Sequence, residues 1–189
     1  LVGYAGDRLL VNGMFGPTWR APQQWVRLRL LNGCNARILM LRLSDATPML
    51  QIANEAGLLG VPLARSTLTL APGERAEVLV NFSSASTGQV TRLLASTAGG
   101  GMGMGVGAAT GTEVTALTVR VDLPRQPGAM SSPPARLSPG PAVSAAPGAT
   151  VRSFSLDGGM MGGPFTINGR SFDIARTDLA VPPGVVEIW

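Results

Sequence analysis

The chain has 189 residues, 45% hydrophobic and only 14% charged, with fifteen basic residues against eleven acidic ones for a formal charge of +4. That supplies enough apolar material for a domain core, while the charged fraction falls well below the roughly 25% of an average soluble domain. Every basic residue is arginine and histidine is absent, which excludes Ser–His and Cys–His catalytic pairs and any imidazole metal site. The arginines are scattered singly without aromatic interleaving, against nucleic-acid binding, and no apolar run reaches the ~18 residues of a membrane-spanning helix.

The periodicity along the chain is two. Residues 8–11 open the series of candidate strands, and 26–30 follow, with Val26, Leu28 and Leu30 alternating against the outward Arg27 and Arg29. Further candidates are 38–43, 50–53, 66–70, 76–82, 90–95 and 117–121, with Ala76, Val78, Val80 and Phe82 on one face of their strand. Asn12-Gly13, Asn32-Gly33, Pro72-Gly73 and Thr87-Gly88 are turn signals between these runs. After Pro72-Gly73, Glu74 and Arg75 are expected to enter an edge-like strand and pair with charges on nearby loops. Seven or eight short strands separated by turns describe an all-β, antiparallel sandwich or barrel, and no helix of more than about two turns is expected.

Strand signals stop near Leu123. Residues 124–148 are rich in Pro, Ala, Ser and Gly, a composition too poor in apolar surface to offset its ordering entropy, so it reads as an extended linker. Strand character returns at 151–156. Thr166-Ile167-Asn168-Gly169, followed by a strand-like 185–189, echoes Leu10-Val11-Asn12-Gly13 followed by the strand at Trp25. Two domains of one fold in tandem give that repetition.

Little here signals catalysis. The glutamates Glu55, Glu74, Glu77, Glu113 and Glu187 are not spaced as an acid–base dyad. Gly99 to Gly107 is glycine-rich but lacks the Gly-Lys-Ser/Thr of a phosphate loop. Cys34 is the lone cysteine; it forms no intrachain disulfide and reads as a packed structural thiol.

Several segments, taken in order, resemble bacterial three-domain multicopper oxidases of the copper-efflux (cuprous oxidase, laccase-like) type. They are residues 7–13 with 25–37, Gly57-Leu58-Leu59 with Leu70-Ala71-Pro72-Gly73-Glu74-Arg75-Ala76-Glu77-Val78-Leu79-Val80, Gly103-Met104, and Phe165-Thr166-Ile167-Asn168-Gly169-Arg170-Ser171-Phe172-Asp173. The resemblance implies a cupredoxin-like Greek-key β-sandwich over residues 1–123, matching the family's second domain. A Pro-rich linker would occupy 124–150, and 151–189 would be the first strands of an incomplete third domain. The family's copper ligands lie in its first and third domains. This stretch is therefore expected to be the copper-free middle of a parent that carries a blue mononuclear and a trinuclear copper site.

Such a parent oxidises Cu(I) or phenol-like aromatic reductants and reduces dioxygen to water. Its flanking cupredoxin domains would be the partners of this stretch, and its location periplasmic or secreted, with any targeting signal upstream. Thioethers suit Cu(I), which makes Met160, Met161, Met102 and Met104 the candidate Cu(I) contacts; Met160-Met161 stand where the cuprous oxidases insert a Met-rich segment. No catalytic residue is assigned. The resemblance also implies an alternative, because a copper-free relative of the same fold serves as a periplasmic cell-division scaffold and shares the Asn-Gly, Trp-Val-Arg-Leu-Arg-Leu-Leu-Asn and Ala-Pro-Gly-Glu-Arg elements. Cys34 and the Gly-Met segments weigh toward the oxidase.

Overall fold

The computed structural model describes residues 6–97, 113–138, 144–158 and 163–189. The chain divides into two compact units, Leu1–Pro139 and Gly140–Trp189. In the first, the strands run β1 (Leu10–Val11), β2 (Met14–Phe15), β3 (Thr18–Pro22), β4 (Trp25–Leu31), β5 (Leu39–Leu43), β6 (Met49–Asn54), β7 (Gly57–Arg65), β8 (Leu68–Leu70), β9 (Arg75–Asn81), β10 (Gln89–Thr97) and β11 (Val114–Leu123). No helix occurs among the described residues.

Two sheets form the first unit, in the orders β3-β11-β10-β5-β8 and β4-β9-β6-β7, and the small β1-β2 hairpin stands beside them. The period-two pattern explains the layering. On β4 the inward Val26, Leu28 and Leu30 pack on the core while Arg27 and Arg29 point to solvent. On the facing sheet Leu39, Leu41 and Leu43 of β5, Leu93 and Ala95 of β10, and Val119 and Val121 of β11 close the same core.

Two-residue glycine turns join successive strands. Asn12 (φ 49°) and Gly13 (φ 79°) both adopt left-handed backbone, the type I′ geometry whose twist matches the strands it joins. Pro72 and Gly73 (φ 84°) form the tight turn before β9, closed by the Glu74 N–H donating to the Ala71 carbonyl at 2.9 Å.

Asn32-Gly33 is not a hairpin turn, contrary to the sequence signal. Asn32 is 1% exposed, and its amide joins the ends of the two sheets. Its Nδ2 donates to the carbonyls of Leu70 at 2.8 Å and Arg37 at 2.7 Å, while its Oδ1 accepts from the Cys34 N–H at 3.0 Å. Its backbone also bonds to the Pro72-Gly73 turn, donating to the Glu74 carbonyl and accepting from the Gly73 N–H. The local sequence looks like a turn, but the side chain is spent on tertiary closure.

Three further expectations are corrected. The sandwich is not wholly antiparallel, because β3 lies parallel to β11, with Arg20 beside Arg120. The strand after Pro72-Gly73 is interior rather than edge-like, since β9 pairs with both β4 and β6. Among the described residues Glu74 pairs with no charge; its carboxylate accepts from the Ala71 N–H at 2.6 Å, whereas Arg75 does pair with Glu55, at 2.7 Å.

Residues 124–138 contain no strand yet belong to the first unit and are tied to its four-stranded sheet. The Gln126 N–H donates to Gln24 Oε1 at 2.9 Å next to the start of β4, and the Leu137 N–H donates to the Gly60 carbonyl of β7 at 3.0 Å. Those strands are the two edges of the four-stranded sheet, so the segment carries the chain from one edge to the other. Leu79 points to the outward side of that sheet, opposite Arg27, and is still only 2% exposed.

The second unit has β12 (Leu156–Asp157), β13 (Thr166–Ile167) and β14 (Arg170–Ser171) in one small sheet. Asn168 (φ 51°) and Gly169 (φ 74°) repeat the type I′ turn of the first unit. Of the expected strand at 151–156, Val151 forms a parallel bridge with Ile188 and Leu156 begins β12, while 185–189 forms no strand beyond that bridge. No residue of this unit is buried among those described, and Phe165, Phe172, Ile174 and Trp189 are widely exposed.

Asn32→Ala strips partners from the Leu70 and Arg37 carbonyls and the Cys34 N–H, and lowers the unfolding free energy by roughly 2–4 kcal/mol. Urea denaturation followed by circular dichroism measures it; a midpoint equal to that of the unsubstituted chain would remove the closing role given to this amide. Asn32→Asp, which keeps the shape but loses both donors, restores little.

Candidate functional site

The loop that leaves β4 places Cys34 at a cleft of about 870 Å³ between the two sheets. Leu9, Val11, Leu28, Leu30, Leu39 and Leu93 give it apolar walls, and Arg27, Arg29 and Arg37 are among its polar lining. Arg37 fixes one side, its Nε and Nη2 donating to the Gly6 carbonyl at 3.1 and 2.6 Å. Cys34 is free and partly buried, packed against the core.

This arrangement does not fit a copper centre. A blue-copper cysteine works with imidazole nitrogens, and the polar groups in the cleft are guanidinium, carboxamide and one carboxylate, Asp7. Among the described residues no group of three or more His, Cys, Asp or Glu side chains could hold a metal ion. Met102, Met104, Met160 and Met161 lie outside the described residues.

The acidic residues are held by cations or by backbone. Glu77 sits between Arg27 and Arg29, the latter at 3.2 Å. Glu113 receives both Nε and Nη2 of Arg42, at 2.8 and 2.7 Å. Glu55 pairs with Arg75 on a second, polar cleft of about 470 Å³ that also includes Gln51, Arg65 and Glu74. Asp122 takes Arg20 at 2.9 Å and Arg120 at 3.1 Å. A carboxylate engaged in this way is a poor general base.

In the second unit Arg152 forms a two-pronged pair with Glu187, at 2.6 and 2.8 Å, and the Trp189 indole N–H donates to the same carboxylate at 3.0 Å. The Glu187 side chain is 4% exposed. The Arg152 hydrogen bonds, and after them the Trp189 bond, hold its pKa at about 2, below the ordinary 4.5. The Phe154 and Trp189 rings meet at 5.3 Å beside this pair, so Glu187 works as a clasp between the 150–154 and 187–189 segments.

No protein-family model matches the chain. It is similar to curated proteins called cell division protein FtsP: 39% identical over 193 residues to that of Edwardsiella tarda, covering 99% of this chain and 39% of the relative. To that of Escherichia coli it is 34% identical over 187 residues, covering 99% and 38%. The chain thus spans about two fifths of the length of these relatives. Among solved structures it is similar to the bacterial laccase-like multicopper oxidase CueO of Ochrobactrum sp., with a TM-score of 0.78 and 34% identity over 98% of this chain and 42% of that one. The McoA multicopper oxidase of Aquifex aeolicus gives 0.73 and 31%, over 89% and 35%. The fold is the cupredoxin-like β-sandwich of the multicopper oxidases, as the sequence motifs led one to expect.

Lowering the pH tests the clasp. The folded pKa of Glu187 lies below its unfolded value, so its contribution is complete above about pH 4.5 and fades as the pH falls toward 2. The Trp189 indole N–H resonance should therefore hold its position through pH 4 and shift with a midpoint near 2. A midpoint near 4.5 would mean that the carboxylate is not held as described. Cys34→Ser is expected to cost less than about 1.5 kcal/mol by thermal unfolding, as a near volume-conserving change at a partly buried thiol.

Proposed function

We propose that this chain is part of a non-enzymatic cell-division protein built on the multicopper oxidase fold, acting by binding other proteins rather than by redox chemistry. One observation carries the reading: relatives called cell division protein align over 99% of the chain, at up to 39% identity among those compared. The oxidases supply the fold. The relatives called cell division protein favour the scaffold alternative over the oxidase that Cys34 and the Gly-Met segments suggested.

In this reading residues 1–123 are the middle cupredoxin domain of the parent, 124–150 the connection, and 151–189 the opening of the next domain. The middle domain spaces its neighbours, and the bare apolar surface of the second unit, with Phe165, Phe172 and Ile174 outermost, is ground for further strands of that next domain. The parent works in the periplasm.

The full-length parent, purified from copper-supplemented cells, is expected to carry far less than one copper per chain and to consume no oxygen with Cu(I) or a phenolic reductant. Expressed in a bacterium whose own homologue has been deleted, it should restore normal septation. Stoichiometric copper with oxygen uptake would return the oxidase reading to first place.

A further inference from the structure

The outward face of the five-stranded sheet carries an arginine track that no catalytic or metal role uses. Arg20 on β3 and Arg120 on β11 stand side by side in the parallel register, about 4.8 Å apart across the ladder. Like charges so placed repel, and a single carboxylate, Asp122, holds both. Asp122 is only 15% exposed, whereas the two arginine side chains are 64% and 57% exposed. Each engages Asp122 through Nε while most of its side chain stays open to solvent. One strand further, Arg92 of β10 pairs in register with Thr118 and so lies diagonal to Arg120. Its exposed side chain has no hydrogen-bond or ion-pair partner among the described residues.

We propose that this face is a docking surface for an acidic protein segment, with Arg20 and Arg120 as a braced pair of carboxylate receptors and Arg92 as a third. The inference rests on the protein-binding reading above and gives its partner a chemistry. Planar guanidinium forks match carboxylates two bonds at a time, and holding them in advance reduces the ordering cost of binding. An extended segment crossing the strands brings alternate side chains along one side at about 6.7 Å intervals, close enough to the strand spacing for successive carboxylates to reach neighbouring arginines. The occupant is protein rather than nucleic acid, because this face offers no aromatic ring for bases to stack on. Nor is it a membrane, since three arginines offset by one aspartate fall short of the basic clusters that hold anionic lipid.

Titration of the chain into a fluorescein-labelled peptide of alternating Glu and Ser, read by anisotropy, tests the proposal. Binding should appear at low salt and fade by about 0.5 M NaCl. Arg92→Glu should weaken it about tenfold, while Arg136→Glu, an equal charge change at another exposed arginine, leaves it unchanged. Asp122→Asn is the sharper variant: it makes the chain more positive, yet should weaken binding because the Arg20–Arg120 pair loses its brace. Thermal unfolding of each variant confirms that it is folded. The proposal is overturned if the peptide does not bind, if Arg92→Glu and Arg136→Glu weaken it equally, if Asp122→Asn strengthens it, or if single-stranded DNA or phosphatidylglycerol vesicles bind and the peptide does not. Copper on the full-length parent would refute the cell-division reading without touching this result, and a silent peptide would remove the surface without touching the reading.

Discussion

One buried amide closes the sandwich of the first unit. Asn32 satisfies three backbone groups with its side chain and two more with its own peptide units, and these belong to the end of β8, the loop after β4 and the turn before β9. Two sheets pressed together by apolar burial can slide, since hydrophobic contact has no direction. Directional bonds in a water-free setting do not permit that, because a displaced donor or acceptor would be stranded without water. The Asn32 network therefore fixes which end of one sheet faces which end of the other, and with it the positions of Cys34, Arg37 and the cleft they line.

The sequence disclosed the parts of this fold that follow from local rules. Alternation located β4, β5, β9, β10 and β11 to within a few residues, and Asn12-Gly13 and Pro72-Gly73 were turns because their backbone angles are chemically determined. What stayed hidden depends on distant residues. β7 contains Gly57, Gly60 and Pro62, which interrupt any alternation, and is a strand because β6 offers it a partner. β3 is short, ends in Pro22, and is defined by β11. Asn32 bears the spelling of a turn and acts as a clamp, and nothing within a few residues of it announces Leu70. The arginine track was equally invisible, since Arg20, Arg92 and Arg120 are strangers in sequence and neighbours only through strand order.

The chemistry of the surface follows a consistent economy. Among the described residues most carboxylates hold arginine: Glu77, Asp122 and Asp178 two each, and Glu113, Glu55, Glu187 and Asp173 one each. Exposed pairs of that sort add little to stability; their effect is to orient guanidinium groups.

The parallel seam between β3 and β11 also bears on how the molecule is made. Thr18 meets Thr118, a separation whose loop-closure entropy is roughly 4 kcal/mol, so that pairing comes late and makes assembly slow compared with a sheet of nested hairpins. At ribosomal speed the partner emerges about 5 to 20 s after β3 does. During that interval Trp19 and Ala21 have nowhere to go, and the nascent polypeptide offers an unclaimed ribbon edge to whatever chaperone or sister chain passes by.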